Sequence, residues 1–189
     1  MTRYLTVQET KPIIVTALKE AFPAVRFTLR AKSYSGGASI TVTWTDGPDI
    51  PAVEAVTKRF EAARFDGMRD YKEHRVHTMN GKEVSYGADF ITSNRQYTEE
   101  FLRRVLRGAV APGTYLHDLG VREEHFTIKE GYDGRPSLNA TDPAALKYHD
   151  TLPSRDAYAT IMQEAGQTAE TFYLDHSPTA QAVTVSRVH

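Results

Sequence analysis

The chain of 189 residues contains no cysteine. Disulfides and thiolate metal sites are therefore excluded, and a reducing compartment suffices. No apolar run approaches the roughly 20 residues that span a bilayer. The opening stretch, Met1 to Glu9, lacks the apolar core of a secretory signal. The expectation is a soluble, cytoplasmic chain with no membrane partner. Catalytic signatures are missing too. There is no His-Glu-x-x-His pattern and no glycine loop leading from a strand into a helix, the setting in which such loops hold phosphate. His74 and His77 are three apart, so on a strand they face opposite ways and do not share a metal. The sequence therefore names no enzymatic activity, metal site or cofactor.

What is present suits a packed fold. Hydrophobic residues make up 40% and charged residues 25%, which supports a core and argues against global disorder. The net charge of −1 hides an asymmetry. Residues 1–110 hold 17 Lys+Arg against 13 Asp+Glu, whereas residues 111–189 hold 6 against 11. Two parts are expected on that basis: an α+β domain over 1–110 and an acidic extension or small subdomain over 111–189.

The stretch Arg30 to Pro48 organises the first part. Val25, Phe27, Leu29 and Ala31 alternate with Arg26, Thr28, Arg30 and Lys32, the period of a half-buried strand. Ile40, Val42 and Trp44 alternate with threonines in the same way. Ser35, Gly36 and Gly37 between them form a hairpin turn, since glycine accepts positive φ without steric cost. Trp44 shares parity with Ile40 and Val42 and belongs to the core.

On either side, helices are written into the pattern. Thr6 and Glu9 make a capping box for a helix ending near Ala21, and Pro12 argues for a start closer to Thr10. A helix follows Asp49 and Pro51. Residues 72–79 and 84–90 read as a second hairpin around Asn80-Gly81, and the polarity of 72–79 marks an edge strand. Thr98 opens a third helix with an apolar stripe of Phe101, Leu102, Val105 and Leu106. The predicted fold is two-layer α+β: a four-stranded antiparallel sheet with helices on one face in the order α-β-β-α-β-β-α. Beyond it lies a mixed α/β extension, with a strand near Phe126, helices near 142–148 and 154–166, and strand-like stretches at 171–174 and 182–186.

Four motifs together resemble a known family: Lys32-Ser-Tyr-Ser-Gly-Gly-Ala-Ser-Ile40, Trp44-Thr-Asp-Gly-Pro48, Phe65-Asp-Gly-Met68 with Asp70-Tyr71, and Gly87-Ala-Asp-Phe-Ile91. The resemblance is to the twenty-ninth of the large polyvalent protein associated domains, over roughly residues 5–107. Arg69 departs from the small polar residue expected at its position. The resemblance implies a phage, plasmid or other mobile element, and proteins that enter a recipient cell with DNA and blunt its defences. It implies no catalytic residues.

Candidate binding residues follow from these motifs. Arg30 and Lys32, with Arg26, project from one strand face beside Thr41 and Thr43, a phosphate-binding surface or a solvated sheet face. Tyr34 is a stacking candidate. Ser35, Gly36 and Gly37 offer turn amides, in an anion cradle or a plain turn. Asp46, Asp66 and Asp70 are turn carboxylates, which commonly bond their own backbone. With Asp89 they are also the set on which a metal-dependent nuclease-like chemistry would rest. The leading reading is a non-enzymatic binding module acting in the host cytoplasm on a host defence or regulatory protein. Nucleic acid is the weaker partner, and an enzyme acting on nucleic acid or a phage assembly protein are the alternatives.

Overall fold

The computed structural model describes residues 2–66, 71–141 and 176–186. The chain forms two compact units. The first comprises Met1–Trp44, Ile50–Arg95 and Glu170–His189, and the second Thr45–Asp49 and Gln96–Ala169.

In the first unit, β1 (Arg3–Tyr4) leads into α1 (Val7–Ala21). Thr6 and Glu9 form the capping box as the pattern predicts. The helix nevertheless starts at Val7 and carries Pro12 inside it, not nearer Thr10. Its first turn is held from outside: the Gly87 N–H donates to Thr10 Oγ1 at 3.0 Å. That anchor and the cap offset the backbone bond that Pro12 cannot make.

The first hairpin is β2 (Thr28–Tyr34) and β3 (Gly37–Thr45), antiparallel, with Tyr34 opposite Gly37. Gly36 sits at φ 86° in the intervening turn. Then come α2 (Ile50–Thr57), a 3-10 turn at Lys58–Phe60, and a short antiparallel pair, β4 (Ala63–Asp66) with β5 (Tyr71–His74). The second hairpin is β6 (Val76–Met79) with β7 (Lys82–Ser85), closed by Asn80 at φ 50° and Gly81 at φ 73°. β8 (Phe90–Gln96) ends the run, and α5 (Pro178–Gln181) and β11 (Val183–Ser186) return to this unit from the far end of the chain.

The α+β class is observed, with a four-stranded, mostly antiparallel sheet. Its membership differs from the sequence expectation. The order is β1-β7-β6-β11, and the first hairpin lies instead in a three-stranded sheet, β2-β3-β8. Ala38 bonds Asp89, and Thr41 meets Thr92, so contacts between β3 and β8 ascend in step and the two strands run parallel. The return strand of the second hairpin stops at Ser85, because the chain breaks at Gly87 and changes sheets. Residues 76–79 are not an edge either: β6 lies between β7 and β11, since a strand from more than a hundred residues away covers it.

One core joins α1, α2 and the inner face of β3 through Ile14, Leu18, Ile40, Val42, Val53 and Val56, among others. Trp44 is 1% exposed there, 5.7 Å from the Phe27 ring, as its parity with Ile40 and Val42 predicts. Arg59 donates to the carbonyl of Val183 at 2.6 Å, and Glu20 accepts from the Ser177 hydroxyl and from the Thr179 N–H and hydroxyl. These bonds hold the returning segment in the first unit.

The second unit holds α3 (Glu99–Ala109), α4 (Tyr115–Asp118) and the antiparallel pair β9 (Phe126–Glu130) with β10 (Pro136–Ala140). Phe101, Val105, Leu106, Leu116, Phe126 and Leu138 form its core. The helices expected near 142–148 and 154–166 and the stretch 171–174 lie outside the described residues. Among the described residues no helix is long and apolar enough to cross a membrane.

Candidate binding surface

The candidate surface is the outer face of the sheet β2-β3-β8. The alternation that buries Leu29, Ile40, Val42 and Ile91 turns Thr28, Arg30, Lys32 and Tyr34 outward on β2. Register places Arg30 opposite Thr41 and Lys32 opposite Ser39. On β8 the same face carries Thr92 and Asn94, and the Thr92 hydroxyl donates to that of Thr41 at 3.2 Å. The three strands contain no Asp or Glu. Arg30 and Lys32 are exposed, and neither forms an ion pair among the described residues. The result is a hydroxyl-lined face with unbalanced positive charge.

At the hairpin end of this face four motif residues meet. The Ala38 N–H donates to Asp89 Oδ2 at 3.2 Å, and the Asp89 N–H donates to the Ala38 carbonyl at 2.8 Å. Asp89 is 8% exposed. Its carboxylate lies far inside contact distance of where a Cβ on Gly37 would stand, and the Tyr34 ring would lie 3.0 Å from the same position. Gly37 is therefore required by close approach, and Gly36 by its positive φ. The amide of Ala38 is already given to a carboxylate of the chain itself. Tyr34 is 43% exposed and has Gly37 beneath its ring. Ser35 is exposed.

Asp46 belongs to the second unit. It sits at φ 54°, and its carboxylate accepts from the Thr98 N–H at 2.8 Å and from the Thr98 hydroxyl at 2.7 Å. Thr98 is the N-cap of α3 and accepts from the Phe101 N–H. Asp46 is thus a turn carboxylate that orients a helix cap. Asp66 ends β4 opposite Tyr71, and Asp70 lies outside the described residues. Among the described residues no three His, Cys, Asp or Glu side chains gather as a metal would require.

Sequence reasoning missed Thr92 and Asn94 on the face and the pairing of Asp89 with Ala38. The first shows only in the fold, where Ile91 and Arg95 are buried and Thr92 and Asn94 exposed, because the polar Ser93 and Arg95 hide the alternation in the sequence. The second joins residues 51 apart and leaves no local pattern.

Residues 5–98 match the family model described as Large polyvalent protein associated domain 29. The match ends at the α3 N-cap rather than inside that helix, as the motifs had implied. No curated protein and no solved structure matches the chain.

Proposed function

We propose, from the premise that residues 5–98 belong to the large polyvalent protein associated domain 29 family, that this chain is a non-enzymatic binding module of a mobile element. It acts in the cytoplasm of the host cell on a host defence or regulatory protein. The family ties the chain to large polyvalent proteins and so to mobile elements. The binding role rests on one observation: the β2-β3-β8 sheet presents a face on which, among the described residues, Arg30 and Lys32 form no ion pair and whose strands hold no carboxylate. The motif carboxylates support the same reading. Asp46 and Asp89 are engaged with backbone amides, which is architecture rather than chemistry.

Affinity capture from a nuclease-treated bacterial lysate tests it, with wild type beside Arg30→Ala/Lys32→Ala. The reading expects a protein retained by wild type and lost from the double variant. Capture that disappears with nuclease, or that the double variant leaves unchanged, contradicts it.

A further inference from the structure

The two edges of the β2-β3-β8 sheet are treated differently. The β8 edge is closed at its start, through Ile91. The Ala62 and Ala63 N–H groups donate to the carbonyls of Ala88 and Asp89. Further along, the Ile91 N–H donates to Glu61 Oε1 at 2.8 Å, and Lys58 Nζ donates to the Ile91 carbonyl at 2.7 Å. Lys58 and Glu61 also pair with each other at 2.9 Å, so side chains stand in for a missing strand.

Among the described residues the β2 edge has no such cover. Ala38 sends both its N–H and its C=O toward Asp89, away from β2. Its partner Ser33 is then in a non-hydrogen-bonded pair, and antiparallel pairing alternates. Leu29, Ala31 and Ser33 therefore turn their backbone N–H and C=O groups outward, while Thr28, Arg30, Lys32 and Tyr34 bond β3. Among the described residues nothing donates to or accepts from those outward groups.

We infer that the free edge of β2 docks an extended, acidic segment of a partner protein, which adds to the sheet beside Leu29, Ala31 and Ser33. The inference rests on the protein-binding reading above and names where and how the partner sits. Three observations select this occupant. Alternating donors and acceptors along an edge match a peptide backbone and do not match nucleic acid. Side chains of an added strand fall opposite Arg30 and Lys32, where acidic residues are favoured and basic ones repelled. A second copy of this chain is disfavoured, because antiparallel pairing centred on Ala31 sets Arg30 against Lys32, like charge on like. Nucleic acid, for its part, finds on the neighbouring face, among the described residues, the half-exposed Tyr34 and the more covered Phe90 as its aromatics.

The probe is a short peptide alternating valine with glutamate, titrated into the whole 189-residue chain with backbone amide NMR and hydrogen exchange as readouts. The same peptide with lysine for glutamate, and an oligothymidylate, run beside it. The Leu29, Ala31 and Ser33 amides should exchange fast in the free protein and become protected by the acidic peptide. The lysine peptide should bind about tenfold more weakly, as about 1.4 kcal/mol from two cross-strand pairs implies. Arg30→Glu/Lys32→Glu should reverse that preference, and the reversal itself reports a folded sheet. Ala31→Pro removes one outward N–H without touching the β2–β3 ladder and should weaken binding several-fold.

Equal binding of the two peptides, no binding of either at millimolar concentration, or wild-type affinity in Ala31→Pro overturns the inference. So does oligothymidylate binding that leaves the edge amides unprotected. Lysate capture lost in Arg30→Ala/Lys32→Ala but kept in Ala31→Pro sinks the docking edge alone and leaves the protein-binding reading standing.

Discussion

Asp89 occupies the space that a side chain on Gly37 would need, and the same carboxylate holds the amide of the next residue, Ala38. The two motifs that carry Gly37 and Asp89 are thereby one structural device. It ties the turn end of the β2–β3 hairpin to the start of β8.

Gly37→Ala should therefore destabilise the first unit by about 2 kcal/mol, the scale of a lost hydrogen bond to a charged group. In an Asp89→Ala background the obstructing carboxylate is gone, and the same change should cost much less. A double-mutant cycle from urea midpoints and slopes reads the coupling. Additive effects would mean that the two residues do not share the site.

Gly87 has a different reason to be glycine. A Cβ there would run into the backbone of Leu5, Thr6 and Val7, and no side chain can rotate out of the way. Gly87→Ala should displace the start of α1 and cost about 2–3 kcal/mol, in the range of overpacked core sites. Gly108→Ala, with nothing within 4 Å of its Cβ, is the control and should be neutral or mildly stabilising. Equal denaturation midpoints for the two variants would contradict this packing.

His77 supplies a pH dependence. It is 0% exposed in the four-stranded sheet and 5.0 Å from the Tyr86 ring, and among the described residues no well-formed hydrogen bond reaches either ring nitrogen. Burial, and then the charge of Arg75, push its pKa down to about 4. Weaker pulls from the Glu61 and Arg75 backbone run the other way. The unfolded chain thus takes up a proton that the folded chain refuses. Stability is full above the unfolded value near 6.5 and is lost as pH falls toward 4. Between neutrality and pH 5 the loss from this group is about 2 kcal/mol. Denaturation midpoints against pH, for wild type and His77→Phe, should differ in slope across that window. Parallel curves would mean that His77 is protonated freely in the fold. Glu20 adds a second, lower window. Burial alone would raise its carboxyl, but the bonds from Thr179 and Ser177 outweigh burial and hold it below the ordinary value, so its contribution is lost only in stronger acid.

Much of this architecture is legible locally. Thr6 and Glu9 announce α1, Gly36 and Asn80-Gly81 announce the hairpins, and Thr98 with the Phe101 stripe announces α3. What escapes is what depends on distant partners. Val76 to Met79 looks like an edge because its polar residues are visible and β11 is not. Pro12 looks like a boundary because the bond from Gly87 to Thr10 is invisible in sequence. For the surface, period two gives Arg30 and Lys32 their direction. Only the fold shows that β8 extends their face and that Asp89 fills the turn.

On the proposed function, the basic sheet face meets a protein and not nucleic acid. Titration of the chain with single-stranded and duplex DNA at low ionic strength tests it most directly. No binding should be detectable at tens of micromolar, near the scale of ordinary non-specific affinities. Binding whose logarithm falls with the logarithm of salt, with a slope that Arg30→Ala/Lys32→Ala makes shallower by about two, would contradict it and turn the face into a phosphate-binding surface.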